Sequence, residues 1–170
     1  MRRAEKIAVD SGITTLTLME NAGRGVTEEV VRRFPRGSKV LVLCGPGSNG
    51  GDGFVCARTL RERGYQVRLA LLCKPEELRP DPKEMARRWD ETIEPIGPRS
   101  LDGAEVIVDA IWGSGLKGPV NGVVGELIDQ ATERNLPVVA VDVPTGIDST
   151  YGNVHGTAFK AVSKIGRAHV

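Results

Sequence analysis

Hydrophobic side chains along the chain follow two alternating patterns: short continuous apolar runs, and longer stretches in which apolar residues recur every three or four positions. Met19, Ala22, Val26, Val30 and Phe34 follow the second pattern. Thr17 with Glu20 forms a capping box ahead of them, which predicts an amphipathic helix over residues 17–34, stopped by Pro35 and Gly37. Residues 39–44 are a continuous apolar run, the pattern of a strand buried on both faces. A glycine-rich loop follows over residues 45–53, and then Cys56, Ala57, Leu60 and Gly64 share one helical face. Residues 66–72 read as the second strand, 81–91 as a polar helix, and 104–111 as a third buried strand that ends in a second glycine loop, 113–119. Val120, Val123, Val124, Leu127, Ile128 and Ala131 form an apolar stripe with a 3.6-residue period, and residues 137–143 form a fourth strand that ends in Pro144-Thr-Gly-Ile-Asp148.

Strands alternating with helices define an α/β fold, here a three-layer α-β-α sandwich around a Rossmann-like, mostly parallel sheet joined by right-handed crossovers. Ligands bind such sheets beyond the carboxyl ends of the strands, where all three glycine or proline-glycine loops fall. The length of 170 residues suits one domain, and the sequence shows no internal repeat, low-complexity tract or linker.

Composition narrows the picture mainly by exclusion. With 40% hydrophobic and 26% charged residues the chain is ordinary globular material. A net charge of +1, from 23 basic against 22 acidic side chains, provides no field for nucleic acid or an anionic membrane. No apolar run approaches the 18 or more residues that span a bilayer, and no secretory signal is visible. Cys44, Cys56 and Cys73 match no zinc spacing and are expected to be reduced, buried thiols in a cytoplasmic protein. His155 is expected on the surface.

The glycines, 21 in all, concentrate the candidate chemistry. Gly45-x-Gly47-x-x-Gly50, after a strand and before a helix, satisfies the dinucleotide fingerprint. However, the second strand ends Leu71-Leu72-Cys73-Lys74, without the ribose-binding acid, and the loop lacks the Gly-Lys-Ser/Thr ending of a P-loop. Asn49 and Asp52 place an amide and a carboxylate on the first loop, where Asp52 could cap the following helix, contact a ligand, or both. Asp109 and Asp142 lie at the ends of apolar strands, where an unpaired charge is costly to bury. With Asn49 and Thr145 they could converge on one cation, or each could accept backbone amides in its own turn. The second loop, with Lys117 and a following helix, could cradle a diphosphate or be a solvated turn.

Four segments carry a resemblance: Leu18-Met-Glu-Asn-Ala-Gly23, Cys44-Gly-Pro-Gly-Ser-Asn-Gly-Gly-Asp-Gly53, Val108-Asp-Ala-Ile-Trp-Gly-Ser-Gly-Leu116 and Val141-Asp-Val-Pro-Thr-Gly-Ile-Asp148. In this order the chain resembles the YjeF N-terminal domain family, the NAD(P)H-hydrate epimerases, over nearly its whole length. The resemblance implies an isomerase that interconverts the R and S epimers of hydrated NADH and NADPH for cofactor repair. By the same resemblance Ser48, Asn49, Gly50, Gly51 and Asp52 form a first substrate loop, and Gly113, Ser114, Gly115, Leu116, Lys117, Gly118 and Pro119 a second. Asn49, Asp109 and Thr145 match the potassium ligands, and Asp142 matches the substrate-contacting acid, the candidate for proton transfer.

Ser48 stands where the family often has asparagine, Thr145 where it has serine and Gly118 where an arginine is frequent, so weaker substrate binding is expected before loss of chemistry. The resemblance also implies a possible homodimer through the amino-terminal helix and a functional pairing with an NAD(P)H-hydrate dehydratase. Residues 1–163 are expected to form the domain, truncated before its last strands, with Met1 internal to a longer helix and residues 164–170 a strandless, non-native tail. A non-catalytic scaffold domain of the same family is the alternative, and a nicotinamide-dependent oxidoreductase is disfavoured by the missing ribose acid.

Overall fold

The computed structural model describes residues 12–116, 118–148, 152–154 and 156–165. Lys117, His155, tail residues 166–170 and the expected helix around Met1 lie outside them. Helix α1, Thr15–Arg33, opens at Thr14, whose hydroxyl accepts the Thr17 amide at 3.1 Å. The predicted capping box at Thr17 is thereby corrected. Glu20 instead accepts from the guanidiniums of Arg58 and Arg88, at 2.8 and 2.9 Å, and so ties α1 to its neighbours.

The chain continues as β1 Lys39–Cys44, α2 Ser48–Glu62, β2 Gln66–Leu71, a 3-10 turn Pro75–Glu77, α3 Pro80–Arg87, β3 Ile93–Pro95, β4 Val106–Ala110, α4 Gly122–Glu133, β5 Val138–Val141 and β6 Ala161–Ile165. Two strands were not predicted. β3 has only three residues and ends in proline, and β6 alternates between half-buried and exposed positions, so neither shows a continuous apolar run. Lys164 and Ile165, placed in the strandless tail by sequence, are the last residues of β6.

All six strands are parallel, in the order β3-β2-β1-β4-β5-β6. The order reverses direction between β1 and β4, the switch point where doubly wound sheets open a crevice. Side chains of β1 alternate between the two faces: Val40, Val42 and Cys44 pack with α1, α2 and α3, whereas Leu41 and Leu43 pack with α4, Leu101 and Phe159. Val124, Leu127, Ile128 and Ala131 of the predicted stripe are buried on that second face, and Val123 is partly buried. Cys44 and Cys56 are enclosed, and burial pushes the Cys44 thiol well up and the Cys56 thiol up to about 12. Both are inert core thiols at neutral pH.

Candidate functional site

The crevice between β1 and β4 brings together segments that follow β1, β4 and β5. Helix α2 begins at Ser48, with Gly47 as its cap residue, so residues 48–53 are helical turns rather than the predicted loop. Asp52 therefore cannot cap the helix; it is fully buried in the interior. Asn49 remains at the crevice because its amide Nδ2 donates to the Val141 carbonyl of β5 at 3.1 Å.

The glycines of the first motif divide by role. A methyl on Gly45 would strike the Ile111 carbonyl, one on Gly50 the Gly45 carbonyl, and one on Gly51 the Met19 sulfur, whereas Gly47 faces open space. Close packing of backbone on backbone accounts for the first two. Gly113 of the second loop differs, because a methyl there would enter the space beside the Asp142 carboxylate and the Asn49 amide oxygen. Loop and acids therefore meet at one point.

Asp109, on β4, is fully buried, and its carboxylate accepts three hydrogen bonds from neutral donors. Oδ2 accepts the Thr145 amide at 2.7 Å, and Oδ1 lies 2.7 Å from the Thr145 hydroxyl and 3.3 Å from the Ile111 amide. Burial pushes the carboxyl up to about 6 although these hydrogen bonds favour the charged form. Asp142, just past β5, is 9% exposed and lies at the mouth of the crevice. Its Oδ2 accepts the Ser114 amide at 2.9 Å, and its own amide donates to the Ile165 carbonyl at 2.6 Å.

Of the second loop, residues 113–116 form a turn closed by the Leu116 amide on the Gly113 carbonyl at 3.1 Å, with Ser114 and Gly115 exposed and Leu116 half-buried. Gly118 and Pro119 are exposed, and Val120 bridges to Gly156 before α4 starts at Gly122. The loop therefore does not run directly into the helix N-terminus, as the sequence suggested for a diphosphate cradle. Ser48 is exposed at the opposite rim. Sequence reasoning missed the main-chain partners, the Val141 carbonyl on Asn49 and the Trp112 amide, which donates to Thr145 Oγ1 at 3.2 Å while the Trp112 carbonyl lies at the same distance. A backbone partner carries no residue-type signal.

These features define a doubly wound α/β domain with an acidic, oxygen-lined site at its switch point. The chain matches the family model for the YjeF-related protein N-terminus over residues 15–165 and belongs to that family. It is 40% identical to the NAD(P)H-hydrate epimerase of Rhodobacter capsulatus, over 88% of this chain and 75% of that protein. It is 38% identical to the bifunctional NAD(P)H-hydrate repair enzyme Nnr of Coxiella burnetii, over 95% of this chain and 34% of that one. The chain thus spans about a third of the bifunctional relatives it matches. The crystal structure of yeast ynu0, YNL200c superposes with a TM-score of 0.76 at 29% identity, over 90% of this chain and 70% of that one.

Proposed function

We propose that the chain is an NAD(P)H-hydrate epimerase, an isomerase that interconverts the R and S forms of hydrated NADH and NADPH. The observation that carries this reading is the meeting of the Asp142 carboxylate, Asn49 and Gly113 at the mouth of the switch-point crevice. On the route by loss of water, the hydroxyl leaves the hydrated ring carbon and returns on the other face. Departure as water consumes a proton and return releases one, so a single carboxyl that gives up its proton in the first step and takes it back in the second serves both. Asp142 takes that role, because it is the acid at the mouth while Asp109 is sealed inside. The positive charge that develops on the ring is offset by the carboxylate beside it. The exposed rims, Ser48 on one side and Ser114, Gly115, Gly118 and Pro119 on the other, receive the rest of the dinucleotide.

Asn49, Asp109 and Thr145 would hold a potassium ion. Their donor set is all oxygen with one negative charge, the chemistry that suits a hard monovalent cation. Asp109 also fits as a buried anion whose described hydrogen-bond partners are all neutral. When bound, the ion would supply fixed positive charge deep in the crevice.

The proposed substrate is a diffusible cofactor, which makes the cytoplasm the proposed place of work; among the described residues no helix is long and apolar enough to cross a membrane. The bifunctional names of several relatives favour pairing with a dehydratase, and self-association through α1 would be compatible with that role.

The test follows separated R and S hydrated NADH by chromatography, with and without potassium, beside Asp142→Asn. The expected result is potassium-dependent equilibration that falls by about 10²–10⁴-fold in the variant. A folded, monodisperse wild-type sample that leaves the epimers unmixed overturns the proposal.

A further inference from the structure

Thr145 makes more contacts than a cation ligand needs, and they run in two directions. Toward β4, its amide donates to Asp109 Oδ2 and its hydroxyl lies 2.7 Å from Asp109 Oδ1. Toward the second loop, the same oxygen accepts the Trp112 amide at 3.2 Å and faces the Trp112 carbonyl at the same distance. A hydroxyl has one proton and two acceptor lone pairs, so it can donate to Asp109 while it accepts from Trp112. Two residues beyond Trp112, the Ser114 amide donates to Asp142 Oδ2 at 2.9 Å, and between them Gly113 lies so close to that carboxylate that a methyl would not fit. The result is one chain of contacts: Asp109, Thr145, Trp112, Gly113, Ser114, Asp142. Thr145 is 1% exposed, so water cannot replace its hydroxyl without rearrangement.

We propose that Thr145 is a positioning residue for Asp142, acting through the Trp112–Ser114 segment: its hydroxyl pins the start of the second loop to β4, and the loop's Ser114 amide then aims the Asp142 carboxylate into the crevice. The catalytic consequence rests on the epimerase reading above, but the mechanical link does not. Thr145 touches no reacting atom. It sets the orientation of the group that does.

The experiment uses the full chain with Thr145→Val, which keeps the shape and removes the hydroxyl, Thr145→Ser, which restores it, and Ser114→Pro, which removes the amide hydrogen of the last link together with the serine side chain. Proline is tolerated at the second position of a turn such as 113–116. Amide exchange is read by NMR at Trp112 and Ser114, with the strand amides of Val42 and Val108 as a check on folding. Thr145→Val is expected to lower protection at both Trp112 and Ser114 by about tenfold or more, and Thr145→Ser to keep it. Loss at Trp112 with Ser114 unchanged overturns the link.

In the epimerase assay at saturating potassium, Thr145→Val and Ser114→Pro should each lower kcat by about 10- to 100-fold with little change in KM. Because both act through one carboxylate, the double variant should fall no further than the weaker single. Losses that multiply would show that Thr145 acts by another route, such as the cation alone, and overturn the proposal. If Thr145→Val does not fold, full kcat in Ser114→Pro overturns it equally. A wild-type chain without epimerase activity refutes the functional reading, and the exchange data still decide the mechanical claim.

Discussion

Asp142 has a backbone φ of 68°, in the left-handed region where L residues other than asparagine and aspartate are strained. The conformation turns its side chain back across the end of β5 to the Ser114 amide. Asparagine tolerates the same backbone and still accepts that bond, so Asp142→Asn should stay within about 1 kcal/mol of wild-type stability while losing its activity. Asp142→Ala should lose activity and roughly a further 1–2 kcal/mol, since it gives up both the tolerance and the acceptor. Urea titration of the two variants decides this, and equal stabilities would show that the backbone is not the constraint. Gly113→Ala should lower turnover by about 10²-fold, because its methyl displaces the Asp142 carboxylate. Gly97→Ala, which meets nothing within 4 Å, should leave kcat unchanged. Both acids were legible in the sequence because a charge at the end of an apolar strand needs a reason. Of the roles open to Asp52 in the sequence, capping falls away because the helix starts at Ser48, earlier than the glycine run suggests.

At the level of elements, the strands that the sequence announced are those buried on both faces, β1, β2, β4 and β5. The run for β1 matches its ends, while those for β2, β4 and β5 overshoot by one or two residues, since an apolar side chain just outside a strand looks the same as one inside it. Edge strands are the opposite case: β3 and β6 have one neighbour each and carry polar side chains such as Glu94, Ser163 and Lys164. What holds β6 is partly electrostatic. Glu29 of α1 is buried and opposed by that burial, but hydrogen bonds from Ser163 of β6 and from Arg33 and Arg32 outweigh it, and the carboxyl is held down at about 2. A depressed carboxyl contributes stability that is present above its unfolded value near 4.5 and is lost as the pH falls toward 2. Glu29→Gln should therefore be less stable than wild type by on the order of 1–3 kcal/mol at pH 7. That gap should close progressively below pH 4.5, as read by urea denaturation across a pH series. A gap that persists unchanged at low pH would mean the loss is one of packing and not of charge.

In the whole molecule, the alternation of strands and helices was enough to imply a parallel sheet with its ligand site at the carboxyl edge. It did not reveal that β1 and β4 are neighbours. That adjacency, set by the order β3-β2-β1-β4-β5-β6, is what brings Asn49, Gly113, Asp142 and Thr145 to one crevice around a buried anion. With the proposed potassium site, Asp109 would couple the stability of the whole domain to pH and to the cation. Its folded value near 6 lies above the ordinary 3.8, so the ionised form is disfavoured by folding. The penalty is absent below about pH 4, grows between 4 and 6, and is complete above 6, so this group makes the potassium-free protein more stable as pH falls through that window. A potassium ion bound at the proposed site would favour the carboxylate and remove the penalty, and protonation would in turn weaken its binding. Melting in potassium chloride against choline chloride at equal ionic strength should show a gain on the order of 5–10 °C at pH 7.5 with potassium near a hundred times its dissociation constant. The gain should shrink at pH 5, where Asp109 is mostly protonated, and vanish in Asp109→Asn at both pH values. A potassium effect of equal size at pH 5, or one that survives in the variant, would place the ion elsewhere and leave Asp109 as a buried acid held by Thr145 and the Ile111 amide.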